Sequence, residues 1–159
     1  MKHKVRSLAA AAGLLGGVLM AAPPALASSS ATGKYCVANV ETHRVTCANT
    51  QAEELSIMAG TVTLAILYDG KGYTGAALRY VGPHGCSTTW ADTDYQDPSF
   101  DNPFWNNRFS SVRTYNHCDV RLFGRKNFRG AHSTWIDQSS NLAAIGTGWS
   151  NRTSSIKFS

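Results

Sequence analysis

The chain has 159 residues, a formal net charge of +5 and 16% charged residues. That length suits one domain with an extension rather than several domains. Lys and Arg are scattered with no basic run, which argues against a nucleic-acid-binding protein.

In chain order, Met1-Lys2-His3-Lys4-Val5-Arg6 is a basic start, Leu8 to Met20 is an apolar run, and Ala25-Leu26-Ala27 is a small-residue end. This is the pattern of a secretory signal peptide over residues 1–27, with cleavage expected after Ala27. The apolar run is too short for a permanent membrane span. Removing 27 of the 159 residues leaves 132; Lys2, Lys4 and Arg6 go too, so +5 falls to +2. A chain of that size buries roughly two-thirds of its unfolded surface as one domain. The expected product is secreted, extracellular and monomeric.

Four cysteines follow: Cys36, Cys47, Cys86 and Cys118. An even count in an exported chain predicts two disulfides, and four cysteines allow three pairings. Cys36 and Cys47 flank a predicted hairpin, which favours joining them and leaves Cys86 with Cys118. His84-Gly85-Cys86 and His117-Cys118 also carry zinc-ligand residue types, a reading that an oxidising compartment disfavours.

Residues 28–60 form an N-terminal extension. Ser28 to Lys34 is Ser/Thr/Gly/Ala-rich and reads as a flexible start. Tyr35 to Cys47 alternates about a turn at Glu41-Thr42-His43-Arg44, and Gln51 to Ala59 suits one short helix. From Thr61 the texture is β. Thr61 to Tyr68 is a strand, Asp69-Gly70-Lys71-Gly72 a turn, Tyr73-Thr74-Gly75 follows, and Ala77 to Val81 is a second strand. Gly82 to Pro103 is a long polar stretch without a period, carrying Trp90, Tyr95 and Phe100. Its acidic run, Asp92 to Asp97 with Asp101 beyond, reads as a solvated loop. Asn106-Asn107-Arg108-Phe109-Ser110-Ser111 then leads into a strand from Val112.

The second half repeats this order. Val120 to Phe123 is a strand, Gly124 to Asn127 a turn, Phe128-Arg129-Gly130 follows, and Ala131 to Ile136 is a strand. A loop from Asp137 leads to Ser150-Asn151-Arg152-Thr153-Ser154-Ser155 and a final strand, Ile156 to Phe158. Tyr68 and Phe123 are 55 residues apart, as are Tyr73 and Phe128, and Gly75 and Gly130. Ser111 and Ser155 are 44 apart, so the first unit holds 11 more residues. Those extras fall in Gly82–Pro103, which reads as an insertion. Two units of about four short strands each predict an all-β fold with Greek-key connections.

The aromatic-x4-aromatic-x-Gly element has a physical sense. Two rings can pack over a tight turn, the Gly supplies a positive φ, and a later Ser can bond back to hairpin backbone. At these residues the chain resembles the βγ-crystallin family over about residues 61–159. The matching positions are Tyr68, Tyr73, Gly75 and Ser111, then Phe123, Phe128, Gly130 and Ser155. The resemblance implies two intertwined Greek-key motifs, 61–115 and 118–159, forming a two-sheet wedge.

Microbial members of that family bind calcium through Asn/Asp, Asn/Asp, any, any, Ser/Thr, Ser. Residues 106–111 match at every specified position; residues 150–155 depart at Ser150. The resemblance implies two sites shared between motifs. Asn106, Asn107, Ser110, Asn151 and Ser154 would supply side-chain oxygens, and the hairpins after Tyr68 and Phe123 carbonyls. Few carboxylates imply weak binding, about 10⁻⁴–10⁻³ M.

Enzyme signatures are absent: there is no H-E-x-x-H, no G-x-S-x-G and no phosphate-cradling glycine loop. The first expectation is therefore a secreted, non-enzymatic, calcium-binding module. A second is an inhibitor of an extracellular metalloproteinase, since bacterial secreted inhibitors of that kind also look like βγ-crystallins with two disulfides. Its loop would be 82–103. A third is a cell-wall-binding or toxin-like module using exposed Trp and the modest positive charge.

Overall fold

The computed structural model describes residues 35–89, 92–100 and 102–159. The expected signal peptide, the Ser28–Lys34 start, Trp90 and Asp101 lie outside the described residues. The strands are β1 (Tyr35–Asn39), β2 (Arg44–Ala48), β3 (Val62–Tyr68), β4 (Ala77–Gly82), β5 (Tyr95–Asp97), β6 (Ser111–Thr114), β7 (Val120–Arg125), β8 (Arg129–His132), β9 (Gln138–Ser139) and β10 (Ser155–Phe158). One helix, α1 (Gln51–Ile57), and two single 3₁₀ turns complete the described elements.

The strands form two sheets. Sheet A has the order β2-β1-β4-β3-β6-β9, and sheet B the order β5-β10-β7-β8. The two units exchange a strand each. From the first unit, β5 pairs with β10 in sheet B; from the second, β9 pairs with β6 in sheet A. The fold is all-β, with two intertwined Greek-key motifs.

Two expectations are corrected here. Gly82–Pro103 is not simply an inserted loop, because it contains the exchanged strand β5. That strand is Tyr-Gln-Asp, and its inward residue is a carboxylate: Asp97 is buried and accepts a 2.8 Å hydrogen bond from Tyr80 Oη. A three-residue strand with a buried acid has no hydrophobic alternation to read. The strand expected over Ala131–Ile136 instead spans Arg129–His132, with Ile136 bridging Val120 alone. Ser133 interrupts the ladder, its Oγ accepting from Leu122 N and donating to Thr134 O.

The N-terminal extension is built into the domain. β1 and β2 form a hairpin whose register sets Cys36 opposite Cys47, and a disulfide joins them. β1 then runs parallel to β4, so sheet A gains two strands. Helix α1 starts with a reciprocal capping box between Thr50 and Glu53, which satisfies two of the backbone donors a helix start leaves open. Glu54 on its inner face is buried and pairs with Arg79 Nε of β4 at 2.9 Å, holding the helix on sheet A. The second disulfide, Cys86–Cys118, uses both cysteines of the zinc reading and overturns it.

Core residues come from alternate positions of both sheets. Leu64, Leu78, Tyr80 and Val112 meet Val120, Leu122, Ile156 and Phe158, all essentially inaccessible. Each such side chain contributes roughly 1.5–3 kcal/mol of burial. Trp105 and Phe109 stack at 5.7 Å and Phe100 abuts Phe109 at 5.3 Å, an aromatic block directly beneath the 106–111 run.

Candidate cation site at the paired loops

Each unit folds its hairpin over itself. Tyr68 and Tyr73 meet edge-on at 5.9 Å, and Phe123 and Phe128 at 5.6 Å. To bring the second ring back, Tyr73 and Phe128 take φ of 63° and 57°, followed by Gly75 at 84° and Gly130 at 79°. At Gly75 a Cβ would meet the Asp69 carboxylate, so the turn tolerates no side chain there.

A buried serine locks each hairpin. Ser111 Oγ accepts from Tyr73 N at 3.0 Å and donates to Gly70 O at 2.6 Å. Ser155 Oγ accepts from Phe128 N at 3.1 Å and donates to Arg125 O at 2.7 Å. The two units thus repeat atom for atom.

The 106–111 and 150–155 runs are pinned first to their own hairpins, Ser110 N to Tyr68 O and Ser154 N to Phe123 O, both at 2.8 Å. They are then pinned to each other by a reciprocal pair: Asn107 N donates to Thr153 O at 2.9 Å, and Asn151 N to Phe109 O at 2.8 Å. Asn107 and Asn151 adopt φ of 55° and 56°, left-handed values that Asn tolerates better than most residues. Two side-chain contacts cross between the runs. Ser154 Oγ donates to Asn107 Oδ1 at 3.2 Å, and Ser110 Oγ and Ser150 Oγ lie 2.8 Å apart. Asn107 and Ser154 are therefore together, as are Ser110 and Ser150, while Asn151 meets the first run through its backbone. An open depression of ≈ 390 Å³, lined by Asn107, Asn151, Arg152 and the second hairpin, lies over this crossing.

The donor set suits a hard cation. Among the described residues, the buried side-chain nitrogens and oxygens without a partner are Trp105 Nε1, Asn106 Oδ1 and Thr153 Oγ1. All three lie in or beside the two runs, and two are oxygens. A desolvated polar atom without a partner costs about 1–3 kcal/mol, and calcium accepts amide, hydroxyl and carbonyl oxygens. Asp69 is the single carboxylate in the hairpins and runs that build the crossing. Its Oδ1 accepts from Ala76 N at 2.8 Å, and its Oδ2 pairs with Arg108 at 3.2 Å. Gly124 stands at the corresponding place in the second unit. Among the described residues no group of three His, Cys, Asp or Glu side chains gathers as a metal cluster.

Sequence reading passed over Thr153, which fills an unspecified position of the pattern. It also did not foresee the Arg108–Asp69 pair, which joins residues 39 apart. Neither has a local signal, because both depend on how the runs dock on the hairpins.

The repeated hairpin, the serine lock and the exchanged strands together define a βγ-crystallin-like fold. Solved structures similar to the chain include the N-terminal domain of protein S, at 16% identity and a TM-score of 0.45, covering 62% of this chain and 96% of that one. A βγ-crystallin domain from Flavobacterium johnsoniae is 24% identical with a TM-score of 0.41, covering 60% and 93%. A βγ-crystallin from an archaeon is 20% identical with a TM-score of 0.40, covering 60% and 96%. No family model matches the chain, and no curated protein matches it. The fold assignment stands on the chain's own geometry rather than on these likenesses.

Proposed function

We propose that the chain is a secreted, non-enzymatic βγ-crystallin-like module that binds calcium weakly where its two six-residue runs cross. The observation that carries this reading is the concentration of unpartnered buried oxygens, Asn106 Oδ1 and Thr153 Oγ1, in those runs. Asn106, Asn107, Ser110, Asn151 and Ser154, with hairpin carbonyls, would hold two ions at most, in sites shared between the two units. A divalent charge there would satisfy oxygens that have no hydrogen-bond donor. With neutral ligands, and Asp69 engaged by Arg108, the dissociation constant is expected at about 10⁻⁴–10⁻³ M.

Calorimetric titration of the mature protein with calcium tests this, paired with melting curves in chelator and in calcium. At a calcium concentration 10–100 times the dissociation constant, a ligand bound only by the folded state adds about 1.4–2.7 kcal/mol. Asn107→Gly, which keeps the left-handed backbone and removes the amide oxygen, should lose most of the heat. No heat and no shift in melting temperature would remove the proposal.

A protease-inhibitor reading has its own support. The segment Ser87–Thr89 is held at both ends: Cys86 by its disulfide, Ser87 N by Asp94 Oδ2 at 3.1 Å, and Thr89 O by Ser159 Oγ at 3.2 Å. Thr88 and Thr89 remain exposed. A rigid exposed segment loses little entropy on entering a cleft. Inhibition of a thermolysin-like enzyme, abolished by replacing Ser87–Thr89 with glycines, would favour it.

A further inference from the structure

Among the described residues, no ion pair reaches the cations on the outer face of sheet B. In β10 and β7 the residues Ile156, Phe158, Val120 and Leu122 are buried in the core, so Lys157 and Arg121 point outward. The register sets these two directly opposite each other, with Gln96 of β5 beyond Lys157. Two and four residues along β7, on the same face, Phe123 lies opposite His132 and Arg125 opposite Arg129. The face therefore holds two like-charged cross-strand pairs, Lys157/Arg121 and Arg125/Arg129. Like charges directly opposite destabilise a sheet.

No ion pair among the described residues relieves them. The ion pairs of the described residues are Arg79–Glu54 and Arg108–Asp69, and neither involves this face. Residues 118–159 carry six Lys or Arg against two Asp. Those two, Asp119 and Asp137, lie past the Val120 end of β7, Asp137 next to the Ile136 bridge. Instead of acids, the cations use rings as props: Lys157 Nζ sits 4.9 Å over Phe128, and the Arg121 guanidinium 5.3 Å over Trp135 while its Nε donates to Ser133 O.

We propose that this face binds a phosphodiester-linked polyanion without bases, such as a polyol-phosphate polymer. Arg121 and Arg125 are four residues apart on one strand, about 14 Å, and neighbouring strands add roughly 5 Å each. That spread matches several linked phosphates rather than one anion. The props cover a face of Phe128 and of Trp135, which leaves less ring surface for stacking bases. The exposed large apolar side chains of the described residues are Leu55, Phe104 and Tyr115, none on this face, so it offers nothing to insert into a bilayer. The inference shares Arg125 with the depression over the crossing, while Arg121, Arg129 and Lys157 lie outside that lining.

The test is binding of the mature protein to soluble poly(glycerol phosphate) across a salt series. Four cations predict a slope of log affinity against log salt of about −3. Arg125→Gln with Arg129→Gln should weaken binding at least tenfold at low salt and roughly halve that slope. The same double variant should melt at or above the wild-type temperature, because a repelling pair is gone. No binding at low salt, an unchanged affinity in the variant, or loss of binding together with a lower melting temperature would overturn the proposal. Equal or tighter binding to single-stranded DNA of matched charge, or to phosphatidylglycerol vesicles, would overturn the choice of partner.

Discussion

Ser155→Ala tests the hairpin lock directly. The Ser155 hydroxyl is fully buried; it accepts from Phe128 N at 3.1 Å and donates to Arg125 O at 2.7 Å. Alanine removes both bonds and strands both backbone groups. Each lost bond is worth about 1 kcal/mol net, and each fully stranded group about 1–3 kcal/mol. Phe128 is half-buried and Arg125 exposed, so water reaches part of the gap and the expected cost is about 2 kcal/mol. For a domain of this size that lowers the melting temperature by about 6–10 °C. Thermal unfolding followed by circular dichroism and by tryptophan fluorescence measures it. Ser111→Ala breaks bonds of the same kind, at 3.0 and 2.6 Å, in the other hairpin. It should cost a similar amount, and the two changes should add within about 0.5 kcal/mol, because they share no partner. A loss under 0.5 kcal/mol for either variant would refute the lock, and two very unequal losses would refute the equivalence of the two units.

The disulfides should rank by loop length. Replacing Cys86 and Cys118 by alanine opens a 32-residue separation and should cost about 3.7 kcal/mol in chemical denaturation, against about 2.8 for Cys36 and Cys47 at 11. Burial, and then the Asp97 carboxylate it bonds, hold the Tyr80 phenol protonated well above its ordinary range. That stability is complete below the unfolded phenol value of about 10 and falls as pH rises beyond it. Phenolate absorbance from Tyr80 should therefore appear only with unfolding, and one tyrosine fewer should titrate before the transition than in the unfolded chain. Burial, and then the charge of Asp137, raise the Asp119 carboxyl. The stability linked to it is present below the unfolded value near 3.9 and is lost as pH rises through the raised folded value. Asp119→Asn should therefore raise the melting temperature at pH 7, with the gain shrinking below pH 4; a gain that persists unchanged at pH 3 would contradict this.

What the amino-acid order determined by itself was the duplication. Rings five residues apart, a glycine two further on and a serine leading the closing strand are local requirements of a folded hairpin, so they leave a local trace twice. The cysteine pair about Glu41–Arg44 was legible for the same reason, since a hairpin places its flanks opposite each other. Strand exchange was not legible: Tyr95–Asp97 has no hydrophobic period, and only sheet B's free edge at β10, with the Tyr80 hydroxyl waiting for Asp97, makes it a strand. Within the candidate site, the runs at 106–111 and 150–155 stood out as short oxygen-bearing stretches. Which oxygen met which was decided by docking, through the reciprocal Asn107–Thr153 and Asn151–Phe109 bonds. The clearest case is charge. Along the chain, Arg121, Arg125, Arg129 and Lys157 are scattered residues; antiparallel register, with a bulge in β8 between His132 and Arg129, sets Lys157 opposite Arg121 and Arg129 opposite Arg125 on one face, because pairing distance in a sheet is set by hydrogen bonds and not by sequence separation.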